Sequence, residues 1–331
     1  MPLTKSGVSV IICCYNSSER LPETLKHLAM QVVPHDISWE IIVVNNVSTD
    51  NTSEIAETEW RKYDHPFVKF RIIDEKKPGL SFARKKGAEE ASYTYLIFCD
   101  DDNWLDPSYI NNAFTILGND SEIGALGGKS TATTDDNEFP EWFKSKQNGF
   151  AVGAQSLIQG DVSQTCSLWG AGLVTKKELF INCFSSKYPP ILSDRKGSAL
   201  SSGGDTEYCY RLLLLGYKLF YDESLTFVHF ISKERWSPDY IERSIKSCET
   251  GVFDTMELNK YSLLNKLVYT QRVWKPILVI KTFLGYLSTF IGRNSWSFEE
   301  SKIMLYYYSQ IDFGVDNNTK DIFSFYKENR Q

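Results

Sequence analysis

No CxxC pair occurs in the 331 residues, and the first strand-to-helix turn holds neither GxGxxG nor a P-loop. Without a glycine-rich phosphate turn, neither a dinucleotide-binding fold nor a phosphate-cradling ATPase is expected. The seven cysteines lack metal-ligand spacing. Cys13, Cys14 and Cys99 lie in strand-like apolar runs, where cysteine acts as a small hydrophobe, so free thiols in a reducing cytoplasm are expected. A basic surplus is also missing: 36 Lys and Arg stand against 42 Asp and Glu, a net charge of -6. That excludes a general nucleic-acid binder. Met1 to Gly7 is polar with no apolar h-region, so no secretory leader is expected. The longest apolar window, Ile277 to Ile291, is about 15 residues, interrupted by Lys281, and falls short of the ~20 that span a bilayer.

What is present reads as an alternating chain. Val8 to Cys14 is a buried strand that stops at Tyr15-Asn16-Ser17-Ser18, loop and cap chemistry. Leucines 21, 25 and 28 then recur at helical spacing. Glu40 to Val44, Phe67 to Ile73 and Tyr93 to Cys99 read as further strands. Ser48-Thr49-Asp50 opens one intervening helix, and Ser81 to Ala91 forms another. Such alternation implies right-handed crossovers, a mainly parallel sheet, and ligands at the carboxyl ends of the strands. Apolar usage of 42% and charged usage of 24% exclude wholesale disorder.

Asp100-Asp101-Asp102 directly follows an apolar strand. Adjacent carboxylates raise one another's pKa unless a cation intervenes. A hard divalent ion uses few protein carboxylates and completes its shell with water and phosphate oxygens, so the cluster suits a metal-bridged diphosphate. A solvated acidic turn leading to a cap at Asp106-Pro107 is the plainer alternative.

Four segments taken together resemble the inverting family 2 glycosyltransferases of GT-A fold. They are Val10 to Asn16, Ile41 to Thr52, Gly79 to Gly87 and Tyr95 to Asp102, in that order and spacing. The resemblance implies an α/β, Rossmann-like sheet with flanking helices over about 1–240, with a donor half to about 105 and an acceptor half beyond. A helical C-terminal region over 241–331 would follow. It implies that Tyr15 stacks on the donor base, Asn45 meets the base edge and Arg84 contacts the nucleotide. Asp100 or Asp101 would bind ribose, and Asp102 the metal, Mn²⁺ or Mg²⁺, on the diphosphate of a nucleotide-sugar, with UDP-sugars favoured. Two departures stand out. The family usually carries Asp where this chain has Asn45, and Lys85 stands where Asn is frequent.

Ser201 to Leu213 resembles the glycine-rich turn and helix start that carry the family's catalytic base, here Asp205. Gly204 replaces the acid that commonly precedes it, and Glu207 is the fallback base. A simple helix cap is the alternative reading of Asp205. Trp169 to Leu179 resembles the stretch shaping the acceptor pocket, with Trp169 a sugar platform or a core residue. His229, in the strand-like run Tyr221 to Phe230, is a third metal-ligand candidate. Ser232-Lys-Glu-Arg-Trp lacks the glutamine of the processive synthases' Gln-x-x-Arg-Trp motif, so a non-processive enzyme is expected.

From Leu258 to Phe298 the chain carries six Lys or Arg and no acid, interleaved with aromatics. Such a segment either lies on an anionic membrane surface or forms a helical lid. The expected acceptor is a glycan or lipid-linked sugar in surface-polysaccharide synthesis, at the cytoplasm or the inner membrane face. The competing readings are an inactive nucleotide-sugar or glycan-binding protein and, less favoured, a nucleotidyltransferase.

Overall fold

The structure is a computed structural model. It describes residues 5–192, 194–195, 203–242, 282, 298–309, 312 and 314–329. The basic, aromatic stretch 258–298 therefore lies outside the described residues except at Thr282 and Phe298. No helix among the described residues is long and apolar enough to cross a membrane.

The first part alternates strand and helix as the apolar runs predict. It comprises β1 (Lys5–Cys14), α1 (Leu21–Ala29), β2 (Trp39–Asn45), α2 (Thr52–Arg61), β3 (Lys69–Asp74), α3 (Leu80–Glu90) and β4 (Tyr93–Asp100). Next come β5 (Asn103–Leu105), α4 (Tyr109–Asn119), β6 (Ile123–Thr133), α5 (Phe143–Lys146) and β7 (Gly160–Asp161). The remaining elements are β8 (Leu173–Lys176), α6 (Lys177–Cys183), α7 (Gly204–Leu214), β9 (Lys218–Phe230), α8 (Phe298–Ser309) and α9 (Asn317–Asn329).

These strands form one sheet of order β3-β2-β1-β4-β8-β6-β9-β5, with β7 added on β9. The pairs β3-β2, β2-β1 and β1-β4 are parallel. Beyond β4 the sheet is mixed: β8 is antiparallel to both β4 and β6, whereas β6 and β9 run parallel.

Side chains alternate across a strand, and β1 uses both faces. Val8, Val10 and Ile12 pack with Leu21, Leu25 and Leu28 of α1, Ala56 and Trp60 of α2, and Tyr109 and Ala113 of α4. Ile11 points the other way, joining Ile42, Val44, Leu96 and Phe98 beneath α3, α6 and α7. The result is helices on both faces of the sheet, as crossover connections require. The last two helices extend the second layer: Ile303 and Met304 of α8 and Ile322 and Phe323 of α9 pack with Leu214 at the end of α7. The described cysteines are free. Burial pushes the Cys13 and Cys183 thiols up to about 12, which makes them inert packing residues rather than nucleophiles.

Glu40 on β2 is a fully buried acid opposite Ser9 of β1. Ser9 Oγ donates to it at 2.9 Å, Ser92 N at 2.6 Å and Ser92 Oγ at 3.1 Å, and Arg71 lies 3.1 Å away. Burial raises the carboxyl's pKa, but the Ser92 and Ser9 hydrogen bonds and Arg71 outweigh it and leave the group lowered. A carboxyl lowered on folding stabilises the fold above its unfolded pKa of ~4.3, and that contribution is lost as pH falls through the lower, folded value. Glu40→Gln should cost about 1–3 kcal/mol at neutral pH and flatten the loss of stability on acidification, read by urea unfolding at stepped pH.

Candidate active site

The parallel half of the sheet brings its polar strand ends together. Register pairs Cys14 with Asn45, Asn45 with Asp74, and Cys13 with Asp100. At the end of β1 the chain turns through Asn16, whose φ of 51° is left-handed. This turn is locked to the one after β2. Asn16 N donates to Ser48 Oγ at 3.1 Å, Thr49 N to Asn16 Oδ1 at 2.8 Å, and Ser17 N to Thr52 Oγ1 at 2.8 Å. Tyr15 is left 48% exposed on this rigid turn. Asn45 is half-buried beside it, donating to Asp74 Oδ1 at 3.1 Å and accepting from Ser48 N at 3.2 Å. A carboxylate, that of Asp74 on the neighbouring strand, therefore stands beside the position where this chain has Asn45 in place of the expected Asp.

Arg84, one turn into α3, is 9% exposed and occupies the centre of the site. Its Nη2 lies 3.9 Å from Asp100 Oδ1 and its Nη1 3.7 Å from Asp194 Oδ2. Burial lowers its pKa, but Asp194, Asp100 and Asp205 together raise it, so the guanidinium is a fixed cation. A Cβ at Gly170 would stand 2.5 Å from Arg84 Nη2, so only glycine lets the 169–172 segment pass this close. Lys85 has no such place; it reaches Glu89 at 4.0 Å on the helix surface.

The three consecutive aspartates have three different partners. Asp100 faces Arg84. Asp101 takes Arg20 at 2.6 Å, and its backbone oxygen accepts from Thr24 at 2.8 Å, which turns the residue towards α1. Asp102 is 4% exposed and turned the opposite way. Asn103 of β5 pairs with His229 of β9, and this brings His229 Nε2 to 3.4 Å from Asp102 Oδ1. Arg235, in the 3-10 turn Lys233–Trp236, lies 3.2 Å from Asp102 Oδ2. Burial pushes all three carboxyls up. Asp100 and Asp101 stay raised despite Arg84 and Arg20, whereas His229, Arg235 and Arg20 hold Asp102 well below the usual range. Among the described residues no three His, Cys, Asp or Glu side chains converge as a metal site. The Asp102–His229 pair nevertheless fits a divalent cation whose remaining ligands are not protein. Asp102 keeps its charge and also accepts from Asn103 Nδ2 at 3.1 Å; the ring nitrogen facing it is His229 Nε2, whereas Nδ1, on the far side of the ring, is buried without a hydrogen-bond partner.

Asp205 stands in the first turn of α7, with Gly203 rather than Asp205 as the N-cap. Its Oδ2 accepts from Gly170 N at 2.9 Å and its Oδ1 from Thr206 N at 2.8 Å. It lines one cavity with Arg84, Ser81, Gly170 and Asp194 over an apolar floor of Phe98, Leu173 and Phe180. Glu207 does not share that position. Fully buried, it takes Arg211 at 2.5 Å and accepts from Ile191 N at 3.0 Å and Leu192 N at 2.9 Å. The fallback-base reading is corrected accordingly: Glu207 is a structural anion on the inner face of the helix. Trp169 is half-buried beside the site, its N–H donating to Gln155 at 2.7 Å.

Sequence reasoning missed Asp194, Arg20, Asp74 and the approach of Arg235 to Asp102. Only Arg235 carried a signal, the Arg-Trp of 232–236. The others reach the site from loops and neighbouring elements without a local pattern.

A mixed sheet between helix layers, with acids at the ends of parallel strands, is the arrangement of GT-A proteins. The chain matches a solved Staphylococcus aureus TarS 1–349 in complex with UDP at TM-score 0.53 and 14% identity, over 98% of this chain and 83% of that one. It matches a Pyrobaculum calidifontis mannosyltransferase in complex with GDP-Man and Mn²⁺ at TM-score 0.50 and 16% identity, over 98% and 80%. Residues 9–161 match the profile of Glycosyl transferase family 2. This region is a family 2 glycosyltransferase domain on a GT-A fold. Among curated proteins, the putative glycosyltransferase EpsH of Bacillus subtilis is 28% identical over 160 residues, 47% of this chain and 44% of that protein. Glycosyltransferase AglE of Haloferax volcanii is 27% identical over 237 residues, 69% of this chain and 66% of that protein. The chain thus spans less than half the length of the Bacillus relative.

The opposed roles of the two acids on α7 are separable. Arg211→Ala removes the cation beside the buried Glu207 and should cost about 3–5 kcal/mol in denaturant unfolding. Asp205→Asn, on the cavity side, should stay within about 1 kcal/mol of the wild type.

Proposed function

We propose that the chain is an inverting, non-processive glycosyltransferase that moves a sugar from a nucleotide-sugar to an acceptor hydroxyl of a glycan or lipid-linked sugar. The observation that carries this reading is the shared cavity of Asp205 and Arg84, the latter reaching back to Asp100 at the end of β4. A base, a fixed cation and the donor strand end stand within one side chain's length of each other.

In this reading Tyr15 offers the donor base a flat apolar face, and Asn45 with Asp74 meets its edge. Asp100 and Arg84 hold the ribose and nucleotide side. Asp102 and His229 would hold a divalent cation, which when bound neutralises the departing diphosphate. Arg235 supplies a further positive charge there. Asp205 takes the acceptor's proton as the acceptor oxygen bonds to the anomeric carbon, and the bond to the diphosphate oxygen breaks with its electron pair. One base and one displacement give inversion. The apolar floor keeps water from the attacking position and strengthens the local charges.

Solved structures of similar fold are complexes with UDP-GlcNAc in one case and GDP-Man in another, and UDP-sugars are our first choice for this chain. Residues 1–240 are taken as the transferase unit, and 258–298 as the segment contacting an anionic membrane surface. Surface-polysaccharide synthesis fits the curated relatives, among them a Staphylococcus epidermidis poly-beta-1,6-N-acetyl-D-glucosamine synthase 31% identical over 125 residues.

The test is nucleotide release from a panel of UDP-, GDP- and dTDP-sugars with Mn²⁺ or Mg²⁺. One donor should be hydrolysed in a metal-dependent way, and Asp102→Ala should abolish the response to metal. Asp205→Asn should bind that donor normally and turn over about 10²–10⁴-fold more slowly. A chain that binds no nucleotide-sugar with metal present would overturn the reading, and binding without turnover on any acceptor would favour an inactive binding protein.

A further inference from the structure

Position 204 has no side chain, yet the space beside it is filled. A Cβ on Gly204 would lie 2.6 Å from Asp194 Oδ2, a contact real side chains do not make. The Asp194 side chain is 6% exposed and lines the same cavity as Asp205. Its Oδ2 accepts from Ser81 Oγ at 3.3 Å and faces Arg84 Nη1 at 3.7 Å.

We propose that Asp194 is the second acid of the transfer site, delivered from the loop before α7 into the place a side chain at 204 would take. It acts as a positioning residue, holding the Arg84 guanidinium back from Asp205 and leaving the Asp205 carboxylate free to take the acceptor's proton. The inference rests on the reading of Asp205 as base.

Among the described residues, the titratable groups that face Asp205 are Arg84 from α3, Asp194 from the loop and Cys209 one turn further along α7. Arg84 is divided between Asp100 at one nitrogen and Asp194 at the other. With Asp194 gone, Asp100 and Asp205 are the remaining carboxylates named as acting on Arg84. A guanidinium drawn onto a carboxylate favours its charged form, and losing a neighbouring carboxylate acts in the same direction. Both changes make Asp205 a weaker base. Burial and Asp205 push Asp194 up, whereas Arg84, the Arg195 backbone N–H and the Arg195 charge oppose them.

The experiment compares Asp194→Asn, Asp194→Ala, Gly204→Asp and the double variant Asp194→Ala/Gly204→Asp. Nucleotide release is followed at saturating donor and acceptor across about pH 5 to 9. Asp194→Asn and Asp194→Ala should lower kcat about 10- to 100-fold, with donor KM within about threefold. Both should move the acid limb of the kcat profile to lower pH. The double variant should recover part of the rate and move the limb back. An acid limb that stays at the wild-type pH in both single Asp194 variants would overturn the inference, even if the rate fell.

Asp205→Asn run alongside separates the two failures. Wild-type turnover in that variant overturns the base itself, whereas an inactive Asp205→Asn with an unmoved limb in Asp194→Asn overturns only the role of Asp194. Melting temperatures test the placement without any turnover. Gly204→Asp should destabilise the wild-type background and be tolerated in Asp194→Ala, and equal losses in both backgrounds would refute it.

Discussion

A guanidinium taken out of water needs anions around it, and the buried cation of Arg84 is what the rest of the site is arranged about. Asp100, Asp194 and Asp205 come from a strand end, a loop and a helix start, and all three act on it. Each of these carboxyls alone would be costly to bury. Together with one shared cation they form a site in which charge is fixed before any ligand arrives, and such preorganisation costs no rearrangement at the moment of reaction. The glycine at 170 belongs to the same constraint, since a side chain there would occupy the space of the guanidinium.

The neighbouring aspartates follow the same logic with different partners. Three consecutive carboxylates cannot share one cation at full charge. The turn after β4 separates them, sending Asp101 to Arg20 and Asp102 to Arg235 and His229. Asp102 is the member whose charge is most firmly kept, and it is the one that faces His229 Nε2. Arg20 and Arg235 lie far from the cluster in sequence, just before α1 and after β9, so one acidic run ties three parts of the fold to a single strand end.

Much of the first hundred residues was legible in the sequence. Val8 to Cys14 and Ile41 to Val44 are apolar runs that admit little besides buried strands, and their polar ends marked the ligand edge. The antiparallel insertion of β8 between β4 and β6 was not legible, because four residues of strand, Leu173–Lys176, carry too short a pattern. Glu207 was misjudged although its geometry could be reckoned. At ~100° per residue, two positions along a helix lie ~200° apart, so acids at 205 and 207 face opposite sides. Asp194 carried no signal at all: what brings it to Asp205 is loop packing, not spacing.

That loop packing leads back to the residue misjudged as a base. Glu207 accepts from the backbone of Ile191 and Leu192, and Arg211 donates to the carbonyls of Cys183, Tyr188 and Pro189. The buried pair therefore clamps the segment that runs up to Asp194. Both faces of α7 serve the same purpose. The outer face presents Asp205 to the cavity, and the inner face fixes the loop that sets a second carboxyl beside it. An acid at position 204 would have made this loop dispensable to the charge pattern; with glycine there, the charge beside Asp205 depends on Glu207 and Arg211 holding the chain in place.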